Sequence, residues 1–194
     1  MVKVGILLGM VGGSCKNLLR ESTFRETSHI LLLGDPGLGK SQLLKFAVEL
    51  LPHSMYVNAT STTTSGLTVT LNRDGNDQSL EAGALLLADN GICAIDEFDK
   101  ASDTSSLLEV MEQQTISIAK AGIICQLKCR VGILASANPV YGCYNKGKSF
   151  KENTKISNAI LSRFDLIFLL LDKPDPDHDK KLSEHIMKVN FILW

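Results

Sequence analysis

The sequence predicts an α/β fold in which a five-stranded, mostly parallel sheet lies between helices. Five short apolar runs alternate with helix-like segments along the chain, an order typical of parallel sheets covered on both faces. The runs are almost entirely apolar, as expected of strands that have no solvent-facing side. The chain has 194 residues, 44% of them hydrophobic, so it is long enough for a substantial core. We expect one domain over residues 1–194.

The predicted strands have the sequences HILLL, SMYVNA, GICAID, RVGILASAN and DLIFLLL. The first of them leads through a glycine-rich turn into KSQLLKFAVELL, whose apolar residues recur at helical spacing. Further helices are predicted over residues 79–90 with Ser79 as a possible cap, over 103–114, over 157–164, and after the prolines that follow the last strand.

The N-terminal stretch MVKVGILLGMVGGSC has a lysine, an apolar run and small residues, which is also the pattern of a secretion signal. Its apolar run is too short and too rich in glycine to span a bilayer. No other candidate membrane segment is evident, so we expect no membrane partner. Because Val4, Leu7, Leu8 and Val11 recur at helical spacing, we expect a structural helix with these residues on one face.

Charge and cysteine content limit the possible functions. The formal net charge is −1, so contact with nucleic acid has to come from a local basic patch. Five cysteines, an odd number, form no evident disulfide framework, which favours reduced thiols in an intracellular compartment. Cys125 and Cys129 are four residues apart, but no further pair with finger-like spacing completes a zinc site.

The segment GDPGLGKS, residues 34–41, matches the phosphate-loop pattern G-x-x-x-x-G-K-S between a predicted strand and a predicted helix. Its glycines allow backbone N–H groups to turn toward phosphate oxygens, and the helix start favours anions. Lys40 is predicted to reach the β- and γ-phosphates of ATP, and Ser41 to bind Mg²⁺. The alternative is an ordinary glycine turn with a surface lysine. The predicted nucleotide contacts are Gly34, Asp35, Pro36, Gly37, Leu38, Gly39, Lys40, Ser41 and Gln42.

Two adjacent carboxylates, Asp96 and Glu97, stand at the carboxyl end of the strand GICAID. Ligands of parallel α/β sheets lie beyond the carboxyl ends of the strands, where the phosphate loop also lies. Asp96 is therefore predicted to hold Mg²⁺, directly or through water, and Glu97 to polarise the water that attacks ATP. The alternative is that Asp96 or Asp99 caps a helix.

Two further residues stand at strand boundaries. Asn138 ends the strand RVGILASAN, where its amide is placed to orient water or contact the γ-phosphate; an ordinary Asn-Pro turn is the alternative. Arg163 precedes the last strand, and a planar guanidinium can neutralise charge that develops on a transferred phosphoryl group. A local ion pair between Arg163 and Asp165 is the alternative.

Two segments interrupt the alternation of strands and helices. Residues 59–79 are rich in threonine and contain the turn signal RDGND, which indicates a hairpin or an extended insertion. Residues 115–127 form two β-prone runs joined at Lys120-Ala121-Gly122, which predicts a hairpin with a lysine at its tip. That lysine either contacts a phosphate or protects an exposed strand edge. A looser basic run, Lys146, Lys148, Lys151 and Lys155, is more typical of a solvated loop, although it could supplement DNA or subunit contact.

Together these segments resemble the minichromosome maintenance (MCM) family of AAA+ helicases. The family motifs occur in order as GDPGLGKSQ, LEAGALLLADNGICAIDEFDK, MEQQTISIAKAG, ASANP and LSRFDLIF. The resemblance implies an AAA+ P-loop core and a ring, usually of six subunits, with ATP bound between neighbours. Lys40, Ser41, Asp96, Glu97 and Asn138 match the family residues that act in cis, and Arg163 matches the finger that acts on the neighbour's ATP.

The resemblance also assigns the two insertions. Residues 62–81 match the helix-2 insert and 115–127 the pre-sensor-1 hairpin, which points into the pore, where Lys120 would meet single-stranded DNA. The family's N-terminal region and C-terminal helical lid are not recognised in the sequence. We therefore expect an ATPase core that is weakly active or inactive when isolated.

A finer resemblance, carried by TTTSGLTVTL, NPVYGCYNKGKSFKEN and DHDKKLSEHI, points to the eighth-paralogue branch of the family. This branch implies a nuclear role in homologous recombination and break repair, with the ninth paralogue as partner. A replicative subunit, an ATP-binding scaffold subunit and a remodeller of proteins remain alternatives.

Overall fold

The structure is a computed structural model. It describes residues 1–13, 25, 27–74, 77–101, 104–120, 123–172, 175–177, 179–181, 183–184 and 187, with only the backbone of 71–74, 77–78, 120 and 123. The strands are β1 Ile30–Gly34, β2 Met55–Asn58, β3 Val69–Asp74, β4 Asp77–Ala82, β5 Ile92–Asp96, β6 Thr115–Lys120, β7 Ile123–Lys128, β8 Gly132–Ala137 and β9 Leu166–Leu170. The α-helices are α1 Val2–Val11, α2 Lys40–Leu50, α3 Thr64–Leu67, α4 Ala84–Leu87, α5 Thr104–Gln113 and α6 Asn158–Leu161, with 3₁₀ turns at Phe98–Lys100 and Lys151–Asn153.

The five predicted strands form one sheet with the order β2-β5-β8-β1-β9. Every neighbouring pair in it is parallel, which confirms the predicted α/β architecture. The three inner strands are buried along their whole length, as expected when helices cover both faces. The edge strand β9 alternates half-buried and exposed residues.

Each face of the sheet has its own hydrophobic core. Leu31 and Leu33 of β1 point to one face, where α4, α5 and the base of β6 supply further buried side chains. Ile30 and Leu32 point to the other face, where they meet residues of α1 and α2. Side chains of β1 thus pack alternately against helices on the two faces of the sheet. The phosphate loop, which follows β1, therefore emerges between these two helical layers.

Helix α1 is confirmed, but its predicted apolar face is not the face that packs. Val4, Leu7, Leu8 and Val11 are between 55% and 81% exposed. The buried residues of the helix are Gly5, Ile6 and Gly9. The glycines let the helix approach the sheet closely, since a Cβ at Gly5 would lie 2.2 Å from the Phe168 ring.

Two antiparallel hairpins project from this frame, β3–β4 and β6–β7. The helix predicted over residues 79–90 is therefore wrong in its first part. Residues 79–82 belong to β4 and pair with β3, and only Ala84–Leu87 is helical. The chain changes direction at Gly83, whose N–H donates to the Thr68 carbonyl and whose Cβ position lies 2.6 Å from Thr68 O. The helix predicted after the prolines is confirmed at its described residues, since residues 176–177, 179–181, 183–184 and 187 are helical.

The parallel sheet has two chemically distinct ends. The phosphate loop, Asp96 and Asn138 lie at the carboxyl ends of β1, β5 and β8. The base of the β6–β7 hairpin and Arg163 lie at the amino end, before β8 and β9 begin. Among the described residues, no helix has the length and apolarity that crossing a membrane requires.

Candidate nucleotide site

A pocket of about 340 Å³ lies at the carboxyl end of the sheet. Its volume is within the range of small-molecule sites. It brings together residues that are up to about a hundred positions apart in the sequence. The lining residues are Pro36, Gly37, Gly39, Lys40, Ser41, Gln42, Asp96, Glu97, Ser136 and Asn138.

The phosphate loop holds its lysine against its own backbone. Gly37 and Gly39 have φ values of 82° and 74°, which L side chains rarely adopt, so both positions require glycine. The Lys40 Nζ donates to the carbonyl oxygens of Gly34 and Asp35, each at 2.7 Å. Burial lowers the pKa of Lys40, partly offset by Asp35 and other nearby carboxylates. Since an ammonium has three hydrogens, one remains for a phosphate oxygen.

Gly34 and Asp35 support the loop from behind and do not line the pocket. The buried Asp35 carboxylate accepts hydrogen bonds from the backbone N–H of Tyr144 at 2.8 Å and of Asp172 at 3.0 Å. A Cβ on Gly34 would lie 2.3 Å from the Leu170 carbonyl oxygen. These residues join the loop to its neighbouring segments.

The Asp96 carboxylate is held by a hydrogen-bond network. It accepts from the hydroxyls of Ser136 and of Tyr56, the latter at 2.7 Å, and from the Glu97 N–H at 3.1 Å. Burial alone would raise the pKa of Asp96, but donors that include the Ser136, Ser41 and Tyr56 hydroxyls together lower it. The carboxylate is therefore kept ionised in a partly desolvated place.

Tyr56 and Ser136 were not predicted as site residues. Each lies two residues before the end of its segment: Tyr56 precedes Asn58, and Ser136 precedes Asn138. For Ser136 a signal was available, because side chains at i and i+2 share a face of a strand and Asn138 was a predicted site residue. Tyr56 had no such signal, because Asn58 was not a predicted site residue. The burial and the Asp96 bond raise the pKa of Tyr56 to about 12.

Glu97 adopts a left-handed backbone conformation, with φ 54° and ψ 42°. A non-glycine residue in this region is strained, and such strain is concentrated at functional sites. The conformation turns the chain sharply after β5 and leaves Glu97 lining the pocket. Helix capping does not account for the carboxylates here, because Asp99 instead accepts the backbone N–H of Asn138 at 3.2 Å.

The residues present fit a magnesium-bound nucleotide. Ser41 and Asp96 line the same pocket, and the serine hydroxyl is among the groups that lower the pKa of the carboxyl. Both supply the hard oxygen donors that Mg²⁺ prefers, while phosphate oxygens and water complete its usual six ligands. Ser41 and Asp96 would hold the ion.

An apolar groove of about 510 Å³ lies between α1 and α2 and adjoins the pocket at Gly39 and Gln42. Leu38, which does not line the phosphate pocket, lines this groove. Its other lining residues are Lys3, Ile6, Leu7, Met10, Leu43, Phe46 and Leu50. The combined site therefore has a polar part and an apolar part side by side.

Arg163 lies at the amino end of the sheet and is not among the residues that line the pocket. It precedes β9, which pairs in parallel with β1, whereas the phosphate loop follows the far end of β1. The five-residue length of the paired strands therefore separates Arg163 from the phosphate loop by roughly 15 Å along the strand direction. The Arg163 Nη2 pairs with the Glu112 carboxylate at 2.6 Å. The alternative partner Asp165 instead pairs with Arg25.

Lys120 is the last residue of β6, opposite Ile123, at the end of the hairpin remote from the sheet. Its side chain and the turn residues 121–122 lie outside the described part of the chain. In the separate basic loop, the Asn153 amide donates to the carbonyls of Asn145 and Ser149. The Lys148 Nζ lies 4.1 Å from the centre of the exposed Tyr141 ring.

Comparison with known proteins agrees with this geometry. A family model described as "MCM P-loop domain" matches residues 1–190. A "DNA helicase MCM8" from Xenopus tropicalis is 55% identical over 193 residues, which cover 96% of this chain and 23% of that protein. The human "DNA helicase MCM8" is 53% identical over 194 residues, 97% of this chain and 23% of the relative. A "Probable DNA helicase MCM8" from Arabidopsis thaliana is 50% identical over 195 residues, 98% of this chain and 24% of the relative.

The chain spans about a quarter of the length of these curated relatives. All three carry the name of the eighth paralogue, as the finer sequence resemblance predicted. The family model covers both the phosphate loop and the acidic pair. The chain therefore belongs to the minichromosome maintenance family, within its P-loop domain.

Proposed function

We propose that this chain is the ATPase core of an MCM-type DNA helicase, which couples ATP hydrolysis at subunit interfaces to movement along DNA. One observation carries the ATPase part: Lys40, Ser41, Asp96, Glu97 and Asn138 line a single pocket. A phosphate cradle beside two carboxylates is suited to hydrolysis rather than to storage of a nucleotide.

Each residue of the pocket has a role in this reaction. Ser41 and Asp96 would hold magnesium, which would neutralise charge on the phosphates. Lys40 donates its remaining N–H to a phosphate oxygen, and Asn138 orients the attacking water. Glu97 accepts a proton from that water while the water oxygen bonds to the γ-phosphorus. At the same time the bond between the γ-phosphorus and the β–γ bridging oxygen breaks. The products are ADP and inorganic phosphate.

The apolar groove between α1 and α2 is proposed to take the base of ATP. The groove adjoins the phosphate pocket at Gly39 and Gln42, so one nucleotide can occupy both. Its aliphatic and aromatic lining, which includes Phe46, suits a flat heteroaromatic ring. A base lying there would place the phosphates in the loop.

Arg163 is proposed to act on the ATP of a neighbouring subunit. Its position at the amino end of the sheet, roughly 15 Å of strand away from the phosphate loop, supports action in trans. A guanidinium from the neighbour then stabilises the charge of the transition state. The active assembly is proposed to be a ring, usually of six subunits, with the ninth MCM paralogue as a partner.

DNA contact is proposed for the β6–β7 hairpin, with Lys120 facing a phosphate of a single strand in the central channel. Lys120 stands at the far end of β6, and Ile124 beside it is 86% exposed. One lysine per subunit would add to a salt-dependent grip on the backbone without reading bases. The names of the relatives support a helicase. A nuclear role in homologous recombination and DNA repair is proposed from the resemblance of the sequence to the eighth-paralogue branch.

The ATPase assignment is tested with Glu97→Gln in the complete protein assembled with its ring partners. We expect ATP to bind with unchanged affinity while turnover falls at least about 100-fold, because the base that activates water is removed. Glu49 on α2 is exposed, and the control Glu49→Gln should keep both the ATP affinity and the turnover of wild type. Equal turnover in Glu97→Gln and wild type would contradict the proposal, and binding without turnover in wild type would favour a scaffold subunit.

The DNA assignment is tested with Lys120→Ala, and Lys128→Ala at the base of the same hairpin is the matched control. We expect Lys120→Ala to weaken single-strand binding and to reduce the slope of log affinity against log salt, because one phosphate contact per subunit is lost. Lys128→Ala should leave the slope unchanged. Identical slopes in wild type and Lys120→Ala would overturn the assignment of this residue.

A further inference from the structure

The Arg163 guanidinium is held inside its own subunit by a carboxylate of α5. The Arg163 Nη2 lies 2.6 Å from the Glu112 Oε1, and the two side chains are 38% and 51% exposed. No residue among those described bonds to the Arg163 Nε, although that nitrogen is buried. The pair thus leaves part of the guanidinium's hydrogen-bonding capacity unused.

The backbone around this ion pair is fixed by separate contacts. The Arg25 guanidinium donates to the carbonyls of Met111 and Arg163, at 3.4 and 3.3 Å, and pairs with Asp165. Asp165 also accepts the His29 backbone N–H at 2.8 Å. Because these contacts hold the main chain on both sides, the Arg163 side chain can leave Glu112 without displacing α5 or β9.

Glu112 lies where α5 passes into the hairpin. The helix ends at Gln113, and Gln114, with φ 57°, turns the chain directly into β6. The Gln114 carbonyl accepts the Cys129 N–H at 2.7 Å, which closes the base of the hairpin. Two residues, Gln113 and Gln114, separate the carboxylate-bearing Glu112 from Thr115, the first residue of β6.

We infer that Glu112 is a positioning residue that competes with the neighbour's phosphate for Arg163 and links that competition to the hairpin. The inference rests on the proposed role of Arg163 as the finger in trans. A guanidinium cannot make its planar, paired contact with a carboxylate and with a phosphate at the same time. Engagement of the neighbour's ATP requires release from Glu112, and movement of the hairpin by DNA favours that release.

The test uses Glu112→Gln in the complete assembled protein and measures ATP turnover with and without single-stranded DNA. Without DNA we expect turnover to rise about two- to fivefold, the range that loss of a half-exposed ion pair supplies. With DNA the rate should match wild type, so the stimulation ratio falls by the same factor. Glu112→Asp, which keeps the charge, should restore most of the ratio.

Glu109→Gln is the matched control, because Glu109 lies one turn earlier on α5 and bonds to the Ser117 hydroxyl of β6 instead. It should leave the rate without DNA unchanged. The double variant Glu112→Gln, Arg163→Ala should have the rate of Arg163→Ala alone, a result that a purely structural role of Glu112 would not give.

Two failures can be told apart. If Arg163→Ala leaves turnover unchanged in the assembly, the proposed finger is wrong and this inference is wrong with it. If Arg163→Ala lowers turnover but Glu112→Gln leaves both the rate without DNA and the stimulation ratio at wild-type values, only the competition is overturned.

Discussion

The two ends of the parallel sheet are built differently. At the carboxyl end, side chains of the phosphate loop and of Asp96 and Glu97 converge on an open pocket. At the amino end, Arg163 is bonded to Glu112 within the same subunit. The first end is arranged to receive a ligand, whereas the second presents a cation that is already paired.

This difference agrees with the proposal that one subunit holds half of each catalytic site. In that proposal the carboxyl end supplies the cradle, the metal ligands and the water-activating carboxylate. The amino end supplies the guanidinium, which the length of β1 and β9 keeps away from the subunit's own phosphates. A complete site would then require the carboxyl end of one subunit and the amino end of the next.

The largest expected effect is at the carboxyl end. Lys40→Ala should lower ATP turnover about 100- to 1000-fold, because a preorganised donor to the transferred phosphoryl group is lost. The measurement is steady-state phosphate release by the assembled protein, with exposed Lys155→Ala as the control. Turnover within about threefold of wild type would mean that the loop does not work as a phosphate cradle.

At the amino end, His29 should make the free energy of unfolding depend on pH. Burial and Arg25 lower the pKa of His29 to about 4, although the Met111 carbonyl and Asp165 oppose this. Below pH 6.5 the His29 imidazole is protonated in the unfolded chain, whereas in the folded protein it stays neutral down to about pH 4. The stabilisation is therefore complete above pH 6.5 and declines by up to about 3 kcal/mol as the pH falls to 4.

This is measured as the free energy of unfolding from pH 4 to 7. In His29→Gln that part of the pH dependence should disappear, while exposed His53→Gln should retain it. Equal slopes in wild type and His29→Gln between pH 6.5 and 4 would show that His29 does not remain neutral in the folded protein.

The two ends were also unequally predictable from sequence. The site residues at the carboxyl end lie in contiguous motifs directly after apolar strands, so their meeting follows from parallel pairing alone. At the amino end, Arg25, Glu112 and Arg163 meet only after the helices have packed, and Asp165 was the nearer candidate in sequence for Arg163.

Local sequence patterns failed where close backbone approach decided the structure. The glycine face of α1 packs because Gly5 and Gly9 let the helix reach Phe168 and Ile30, which apolar spacing alone does not reveal. Pairing with β3 likewise overrode the helical pattern over residues 79–82. The left-handed conformation of Glu97 had no sequence signal, because glutamate rarely adopts it.

A smaller effect is expected from Tyr56→Phe. The variant removes one hydrogen bond to Asp96, and a bond to a charged acceptor is worth about 1.5 kcal/mol or more, or roughly a tenfold change. We expect the Mg²⁺ concentration for half-maximal turnover to rise by about that factor, with Tyr141→Phe on the surface as the control. An unchanged magnesium requirement would place Tyr56 outside the metal site.

The smallest effect is expected for the stability of Arg163→Ala. The pair with Glu112 is partly exposed on both sides, so its loss should change the free energy of unfolding by less than about 1 kcal/mol. Denaturant unfolding of the variant measures this. A loss of more than about 2 kcal/mol would assign Arg163 to the fold rather than to catalysis.

The division of labour between the two ends is tested most directly by mixing variants. Subunits with Lys40→Ala lack a working carboxyl end, and subunits with Arg163→Ala lack a working amino end. Each variant alone should be inactive in the assembly, but mixed assemblies should recover part of the ATP turnover, because some interfaces pair an intact loop with an intact arginine. No recovery in mixed rings of verified composition would contradict the account.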